Sequence, residues 1–231
     1  MKIDRVTITG ADTNTNISDL IEITKQYPFV EWGILFSQNE GRPRYPTNIW
    51  KTGLINQELP LSAHFCGWWA KQVLEEQNFD LIRNLIGFNR VQLNYNFNRS
   101  DKWDIQKLFE FLETFKDVTV ILQYNKNNSS TIDALDNIPS NVNFLYDASG
   151  GRGTEIKFIS DPIHDSYTGY AGGIDIYNVK DICSMISDKQ NDSIVFIDLE
   201  SGARTNDEFN LNKVTLILDI TNEFIINNNR D

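Results

Sequence analysis

Polar side chains recur near the ends of short apolar runs along this chain of 231 residues. In the last run, Val195, Ile197 and Leu199 alternate with Asp198 and Glu200, which predicts a strand with one apolar face and one polar face. The same parity places a largely polar set on the second face elsewhere: Thr7, Thr9, Glu31, Ser37, His64, Cys66, Gln92, Asn94, Gln123 and Asp147. Carboxyl, imidazole, thiol and amide groups that converge can transfer protons and hold a polar ligand. A polar layer that satisfies its own hydrogen bonds with buried water would give the same pattern.

Three glycine-bearing segments follow the late apolar runs, at 147–153, 169–173 and 200–204. Adjacent glycines let backbone N–H groups approach a phosphate without an intervening Cβ, so these segments predict a phosphate site. Several arginines also fall in loops after apolar runs: Arg42, Arg44, Arg99, Arg152 and Arg204. The guanidinium suits bidentate recognition of phosphate or carboxylate, although loops are where charged residues ordinarily lie.

Strand-like runs and helix-like stretches alternate along the whole chain. The predicted strands are 3–9, 30–37, 61–66, 90–94, 118–123, 143–147, 168–172 and 194–200. Amphipathic stretches at 17–26, 103–115 and 210–226 have helical spacing. Eight such repeats predict a parallel sheet closed into a single (β/α)8 TIM barrel over residues 1–226, followed by a flexible tail at 227–231. Active sites of such barrels lie at the carboxyl ends of the strands, where the polar residues converge.

Composition narrows the functional classes. The net charge of −11 argues against a nucleic-acid partner, because such binders present basic surfaces to phosphates. No apolar run is long enough to cross a membrane, and the first residues lack the pattern of a secretory signal. Two cysteines, Cys66 and Cys183, provide no disulfide framework. We therefore expect a cytoplasmic protein without a cofactor, either a monomer or a homodimer, whose partner is a small phosphorylated ligand.

Several segments, in order along the chain, resemble phosphoribosylanthranilate isomerases. The family has an aspartate and a glycine-rich loop at strand 6, similar to Phe-Leu-Tyr-Asp at 144–147 and the glycines at 150–153. Gly-Gly-Ile at 172–174 and Asp-Leu-Glu-Ser-Gly-Ala at 198–203 are similar to its strands 7 and 8. Arg-Tyr at 44–45 and Val-Gln-Leu-Asn at 91–94 are similar to its strand 2 loop and strand 4.

The resemblance implies roles for individual residues. Asp147 takes the position of the general acid that protonates the ribose ring oxygen, and Arg44 that of an arginine that contacts the anthranilate part of the substrate. The backbones of four residues would hold the phosphate: Gly172, Gly173, Ser201 and Gly202. Two positions depart from the family: Thr9 replaces the cysteine that acts as general base, and Glu200 replaces a serine beside the phosphate loop.

A threonine hydroxyl has too high a pKa to remove a carbon-bound proton near neutrality. His64 and Asp198 are the candidate replacements, and Cys66 could become a thiolate beside His64. His64 as a hydrogen-bonded wall residue and Cys66 as a small buried filler is an equally good interpretation. A metal site formed by His64, Cys66, Asp198 and Glu200 is conceivable, but the spacing does not predict one.

Two functions remain open from the sequence. The first is an isomerase-like or lyase-like enzyme, in which Asp147 is the acid, His64 or Asp198 the base, and Arg44, Arg152 and Arg204 the anion clamps. Thr9, Cys66, Asn94, Gln123 and Glu200 would complete the ligand contacts. The second is a catalytically silent protein that sequesters a nucleotide-type metabolite or signal. Phosphoribosylanthranilate isomerisation with an alternative base is a third and less favoured interpretation.

Overall fold

Parallel strands close into a barrel in the order of the chain, and a computed structural model describes this architecture for residues 1–99, 102–147 and 156–226. The barrel strands are β1 Lys2–Thr9, β2 Val30–Phe36, β3 Leu61–Cys66, β4 Arg90–Asn94, β5 Thr119–Tyr124, β6 Val142–Asp147, β7 Thr168–Ala171 and β8 Ile194–Leu199. Every predicted strand overlaps one of these. The single (β/α)8 TIM barrel predicted from the sequence is confirmed.

Helices pack around the outside of the barrel. They are α1 Ile17–Gln26, α2 Asn48–Ile55, α3 Trp68–Leu74, α4 Asp80–Arg83, α5 Ile105–Thr114, α6 Ser129–Ile132, α7 Val179–Ser187 and α8 Leu211–Asn222. Asn16, Asp104 and Asn210 cap α1, α5 and α8, each by accepting a hydrogen bond from a backbone N–H in the first turn. None of the described helices is long and apolar enough to cross a membrane.

Two of the predicted helices were too long. Helix α5 begins after the Asp104 cap rather than at position 103, and α8 ends at Asn222 rather than at 226. The chain beyond α8 turns back along the barrel, where Ile225 forms an isolated parallel bridge with Ile3. The apolar residues at 224–226 therefore cover the start of β1 instead of prolonging the helix.

The barrel interior has an apolar part and a polar part. Ile121, Leu145 and Phe196 form a buried cluster on the β5, β6 and β8 side. On the other side, Glu31 of β2 is fully buried and forms an ion pair with Arg90 of β4, whose Nε donates to its Oε1 at 3.0 Å.

Two further side chains complete this ion pair. Thr7 Oγ1 donates to Glu31 Oε2 at 3.0 Å, and Arg5 Nη1 lies 3.0 Å from Oε1. Burial alone would raise the pKa of Glu31, but the adjacent Arg90 and Arg5 outweigh it, so the pKa lies below its ordinary value. The guanidinium of Arg90 also stacks on Phe196, with Cζ 4.3 Å from the ring centroid. At this level of the barrel interior, most of the polar side chains bind one another, as in the polar layer considered from the sequence, although Arg90 Nη1 has no hydrogen-bond partner among the described residues.

Candidate functional site

A cavity of about 120 Å³ opens at the carboxyl ends of the strands, on the far side of the Glu31–Arg90 pair. The predicted site residues that line it are Thr9, His64, Asn94, Gln123, Asp147, Gly172, Gly173, Asp198, Glu200, Ser201 and Gly202. These residues come from six strands and from the loops after β7 and β8. Four other members of the inward set predicted from strand parity are not among the described residues that line the cavity: Thr7, Glu31, Ser37 and Cys66.

Asp198 of β8 is the carboxyl group most changed by its surroundings. Its residue is 6% exposed, and Thr9 Oγ1 of β1 donates to Asp198 Oδ1 at 2.9 Å. Burial raises the pKa of Asp198 to about 7; the Thr9 hydrogen bond lowers it and the nearby Glu200 carboxylate raises it. A carboxyl group with this pKa is divided between its acid and base forms near neutral pH, as proton transfer requires.

Gly33 of β2 makes room for this arrangement. A Cβ at Gly33 would overlap Thr9 Oγ1 and lie 2.9 Å from Cε1 of His64. Any side chain on this inward position would push Thr9 or His64 out of place. The glycine therefore lets residues of β1 and β3 approach each other across β2.

His64 and Cys66 of β3 do not have the properties of a base. Burial lowers the pKa of His64 to about 3, so the imidazole is neutral and weakly basic at neutral pH. Burial raises the pKa of Cys66 to about 12, so it remains a thiol. Its Sγ donates to the backbone oxygen of His64 at 3.7 Å and accepts from Asn94 Nδ2 at 3.3 Å. Cys66 is not among the described residues that line the cavity. These surroundings favour the thiol over the thiolate and agree with the interpretation of Cys66 as a small buried residue, whose thiol orients a neighbouring amide.

Gln92 of β4 is a cavity residue that the sequence marked only as inward-facing. Its Nε2 donates to Asn94 Oδ1 at 2.8 Å. Within the described part of the chain, neither Gln92 Oε1 nor His64 Nε2 has a hydrogen-bond partner, although both atoms are buried and both residues line the cavity. Buried polar atoms in proteins are nearly always hydrogen-bonded, so these two atoms are available to a ligand or a water molecule.

Two glycine loops form the wall on the β7 and β8 side. Gly172 and Gly173 have φ of 126° and 57°, values that favour glycine. Gly202 packs so tightly that a Cβ would overlap the backbone oxygen of Ile174 and lie 2.8 Å from Cα of Asp175. Exposed backbone N–H groups on such loops are suited to bind an anion. The third predicted loop, at 150–153 with Arg152, lies outside the described residues.

Arg44 lies on the loop after β2 and is held by carboxylates. Its Nη1 is 2.7 Å from Glu200 Oε1, and its Nε is 2.7 Å from Asp207 Oδ1. Its backbone N–H donates to Asp12 Oδ2 at 3.0 Å. Among the described residues, Arg44 is therefore the cationic partner of Glu200.

Arg204, predicted as an anion clamp, does not line the described part of the cavity. Its residue is 5% exposed, and its Nη2 lies 3.0 Å from Asp12 Oδ2. It also donates to the backbone oxygens of Gly10 and Asp207. With these acceptors close by, Arg204 links the loops after β1 and β8 inside the wall of the barrel.

The described residues contain no group of three or more histidine, cysteine or acidic side chains placed to hold a metal ion. The four residues considered for such a site therefore do not converge as metal ligands. Instead, Thr9 binds Asp198, Asn94 binds Cys66, and Arg44 binds Glu200.

Comparisons with known proteins identify solved structures that share this fold. No protein-family model and no curated protein sequence matches the chain. Among solved structures, phosphoribosylanthranilate isomerase from Thermotoga maritima is 15% identical, with 95% of this chain and 98% of that chain covered and a TM-score of 0.61. The isomerase from Thermococcus kodakaraensis is 12% identical, with 94% and 98% covered and a TM-score of 0.58. The 3-hexulose-6-phosphate synthase from Salmonella typhimurium is 11% identical, with 97% and 100% covered and a TM-score of 0.50. The chain therefore has the fold of phosphoribosylanthranilate isomerases, and the resemblance predicted from its motifs is confirmed at the level of fold.

Proposed function

We propose that this protein is an isomerase-like or lyase-like enzyme that binds a small phosphorylated sugar- or nucleotide-type ligand in the cavity at the carboxyl ends of the strands. The observation that carries the proposal is the Asp198 carboxyl group, which is buried in the cavity, hydrogen-bonded by Thr9 and poised between acid and base near neutral pH. Structures with the same fold include isomerases and a synthase of phosphorylated sugars.

In this proposal the ligand's phosphate binds to the loops after β7 and β8. Four residues line the cavity there: Gly172, Gly173, Ser201 and Gly202. In this proposal their backbone N–H groups are the donors to the phosphate. Arg152, from the loop after β6, remains a predicted phosphate contact. The acidic composition of the chain as a whole makes such a local anion site necessary for steering the ligand.

Asp198 acts as the base and Asp147 as the acid. The ionised Asp198 carboxylate removes a carbon-bound proton from the ligand, while the Thr9 hydroxyl stabilises the ionised form through its hydrogen bond. Asp147, at the end of β6 on the same cavity, donates a proton to the ligand oxygen that gains electrons. The site thus keeps an acid at the family's strand 6 position and moves the base from β1 to β8. His64, with its pKa lowered to about 3, serves instead as a neutral hydrogen-bonding wall residue.

The test is solvent exchange. Ribose 5-phosphate, ribulose 5-phosphate and related pentose phosphates are incubated with the protein in D₂O, and exchange of carbon-bound protons is followed by NMR. We expect exchange with at least one of them, reduced by about 10²–10⁴-fold in Asp198→Asn and in Asp147→Asn. Asp117→Asn, at an exposed loop carboxylate, is the matched control and should leave exchange unchanged. Exchange that survives both cavity substitutions would overturn the assignment.

The second candidate, a binding protein without chemistry, is favoured by Thr9 at the position of the family's catalytic cysteine. It predicts that a bound ligand stabilises the fold and is recovered unaltered after long incubation. At about a hundred times the dissociation constant, binding should add about 2.7 kcal/mol to the free energy of unfolding. Stabilisation without exchange or product would support this candidate, and any ligand-derived product would exclude it.

A further inference from the structure

The described part of the cavity presents acceptors rather than cations. Asp147, Asp198 and Glu200 contribute carboxyl groups, and no lysine or arginine is among the described residues that line it. Beyond the phosphate held by the glycine loops, a second anionic group on the ligand would therefore lie beside carboxyl groups without a lysine or arginine among the described lining residues.

The nearby arginine at the rim is already engaged. Arg44 binds Glu200 and Asp207 through different nitrogens, both at 2.7 Å. Releasing this arginine to a ligand carboxylate would break at least one of these pairs and leave Glu200, which lines the cavity, without its cationic partner. Glu200 therefore competes directly with any ligand carboxylate for Arg44.

An independent observation identifies what the cavity accepts. Gln92 is 3% exposed, and a series of hydrogen bonds orients its amide: Nε2 donates to Asn94 Oδ1, while Asn94 Nδ2 donates to Cys66 Sγ. This series of hydrogen bonds leaves Gln92 Oε1 as a buried acceptor without a partner among the described residues. A carbonyl oxygen can bind only a hydrogen-bond donor.

The topology places this acceptor across from the glycine loops. In a closed barrel with strands in chain order, β4 lies opposite β8. A ligand whose phosphate binds at the loops after β7 and β8 therefore extends its other end toward Gln92. The Cys66–Asn94–Gln92 chain thus sets the chemistry of that distal end.

We propose, on the basis of the function proposed above, that the distal end of the ligand carries a hydroxyl or amino group that donates to Gln92, and that the site selects against a carboxylate because Glu200 occupies Arg44. Both accepted groups, the hydroxyl and the amino group, are hydrogen-bond donors that carry no negative charge. The ligand is in this respect unlike the anthranilate adduct, which carries a carboxylate.

A matched series of ligands tests the proposal. Ribitol 5-phosphate, 1-amino-1-deoxyribitol 5-phosphate and 5-phosphoribonate share one skeleton and differ in a hydroxyl, an ammonium or a carboxylate at carbon 1. Calorimetric titration should give dissociation constants for the first two that are lower by about tenfold or more than that of 5-phosphoribonate, as expected for a hydrogen bond to a charged or buried group. The order of the first two distinguishes a hydroxyl site from an amine site. Equal affinity for all three, or a preference for 5-phosphoribonate, would overturn the proposal.

Two variants locate the effect. Gln92→Met keeps the length of the side chain but removes the acceptor, so it should weaken the hydroxyl and amino ligands by about tenfold and leave inorganic phosphate binding unchanged. Gln106→Met, on the exposed face of α5, is the control for the substitution itself. Unchanged affinity of both ligands in Gln92→Met would contradict the role of Gln92.

Glu200→Gln should narrow the discrimination against 5-phosphoribonate by about tenfold, because Arg44 becomes available to the carboxylate. Adding Arg44→Ala should remove that gain, and Glu22→Gln controls for the loss of one exposed negative charge. If Glu200→Gln is not folded, Glu200→Ser provides the same test. If the ratio of the dissociation constants of 5-phosphoribonate and ribitol 5-phosphate changes neither in Glu200→Gln nor in Glu200→Ser, the role of Glu200 is overturned. Failure of the three sugar phosphates while inorganic phosphate binds would overturn this inference alone, whereas failure of inorganic phosphate as well would overturn the proposed phosphate site.

Discussion

At the scale of the residue, the cavity contains two buried groups whose pKa values are shifted from their ordinary values in opposite directions. Burial raises the pKa of Asp198 to about 7 and lowers that of His64 to about 3. Each group favours its uncharged form in the folded protein. Their contributions to the slope of stability against pH therefore have opposite signs in the weakly acidic range and offset each other there.

The substitution Asp198→Asn isolates the contribution of Asp198 to the pH dependence of stability. The folded protein keeps the Asp198 proton up to pH about 7, whereas the unfolded chain loses it near its ordinary pKa, so this group makes stability fall as pH rises between those values. Asparagine has no such titration. We expect the stability of the variant, relative to the native protein, to be about 2–3 kcal/mol greater at pH 8 than at pH 5, since one pKa unit corresponds to about 1.4 kcal/mol.

Urea denaturation at the two pH values measures this difference, with Asp117→Asn as the exposed control. A relative stability that does not change with pH would show that Asp198 is ionised in the folded protein throughout the range. Such a result would also remove the physical basis for its role as a base near neutrality.

The hydroxyl of Thr9 makes a second residue-scale prediction. Its hydrogen bond to Asp198 lowers the pKa of that carboxyl group. Thr9→Val, which keeps the shape of the side chain, should raise the pKa and move the rising limb of the pH–rate profile for proton exchange to higher pH. Thr13→Val, at an exposed loop threonine, is the control. If the rising limb of the pH–rate profile does not move in Thr9→Val, Thr9 does not act through Asp198.

At the scale of the element, the loops after β7 and β8 depend on close backbone approach. Gly202 lies against the backbone of Ile174 and Asp175, so Gly202→Ala forces the two loops apart. We expect a loss of about 1–3 kcal/mol in stability, as for other overpacked sites, and weaker binding of inorganic phosphate. Gly53→Ala in α2 is a matched control, because its Cβ meets only the end of the Ile17 side chain and alanine favours a helix. Retained phosphate affinity in a destabilised Gly202→Ala would separate packing from binding at this loop.

The elements also show how far the sequence predicts the site. Eight alternating strand-like and helix-like segments were sufficient to predict the barrel. The two-residue period of a strand also predicted most of the strand residues that line the cavity. The sequence did not predict which carboxylate each arginine binds. Arg44 and Arg204 are both predicted in loops, yet Arg44 lies at the rim and Arg204 is buried against Asp12. Protonation was not predictable either, since the pKa values of His64 and Cys66 depend on burial that no local pattern specifies.

At the scale of the whole molecule, the barrel rests on an ion pair that ties its first, second and fourth strands together. Arg90 and Thr7 both bind Glu31, and Arg5 reaches it from the lower end of β1. Because the folded protein holds the pKa of Glu31 below its ordinary value, the stability from this group is present above that ordinary value and is lost as pH falls through the folded value. Protonation of Glu31 at low pH should therefore destabilise the barrel.

Removing one member of the pair is more damaging than removing both. Glu31→Gln leaves the Arg90 charge, in a residue 3% exposed, without its carboxylate, and we expect a loss of about 3–5 kcal/mol. Glu31→Leu with Arg90→Met replaces the pair by apolar groups beside Phe196 and should recover most of that loss or exceed the native stability. The exposed pair of Asp80 and Arg83 in α4 is the control, since Asp80→Asn should change stability by no more than about 0.5 kcal/mol. Urea denaturation at neutral pH measures all four proteins. A double variant as unstable as Glu31→Gln would mean that the ion pair itself, rather than the absence of an isolated charge, holds the interior of this barrel together.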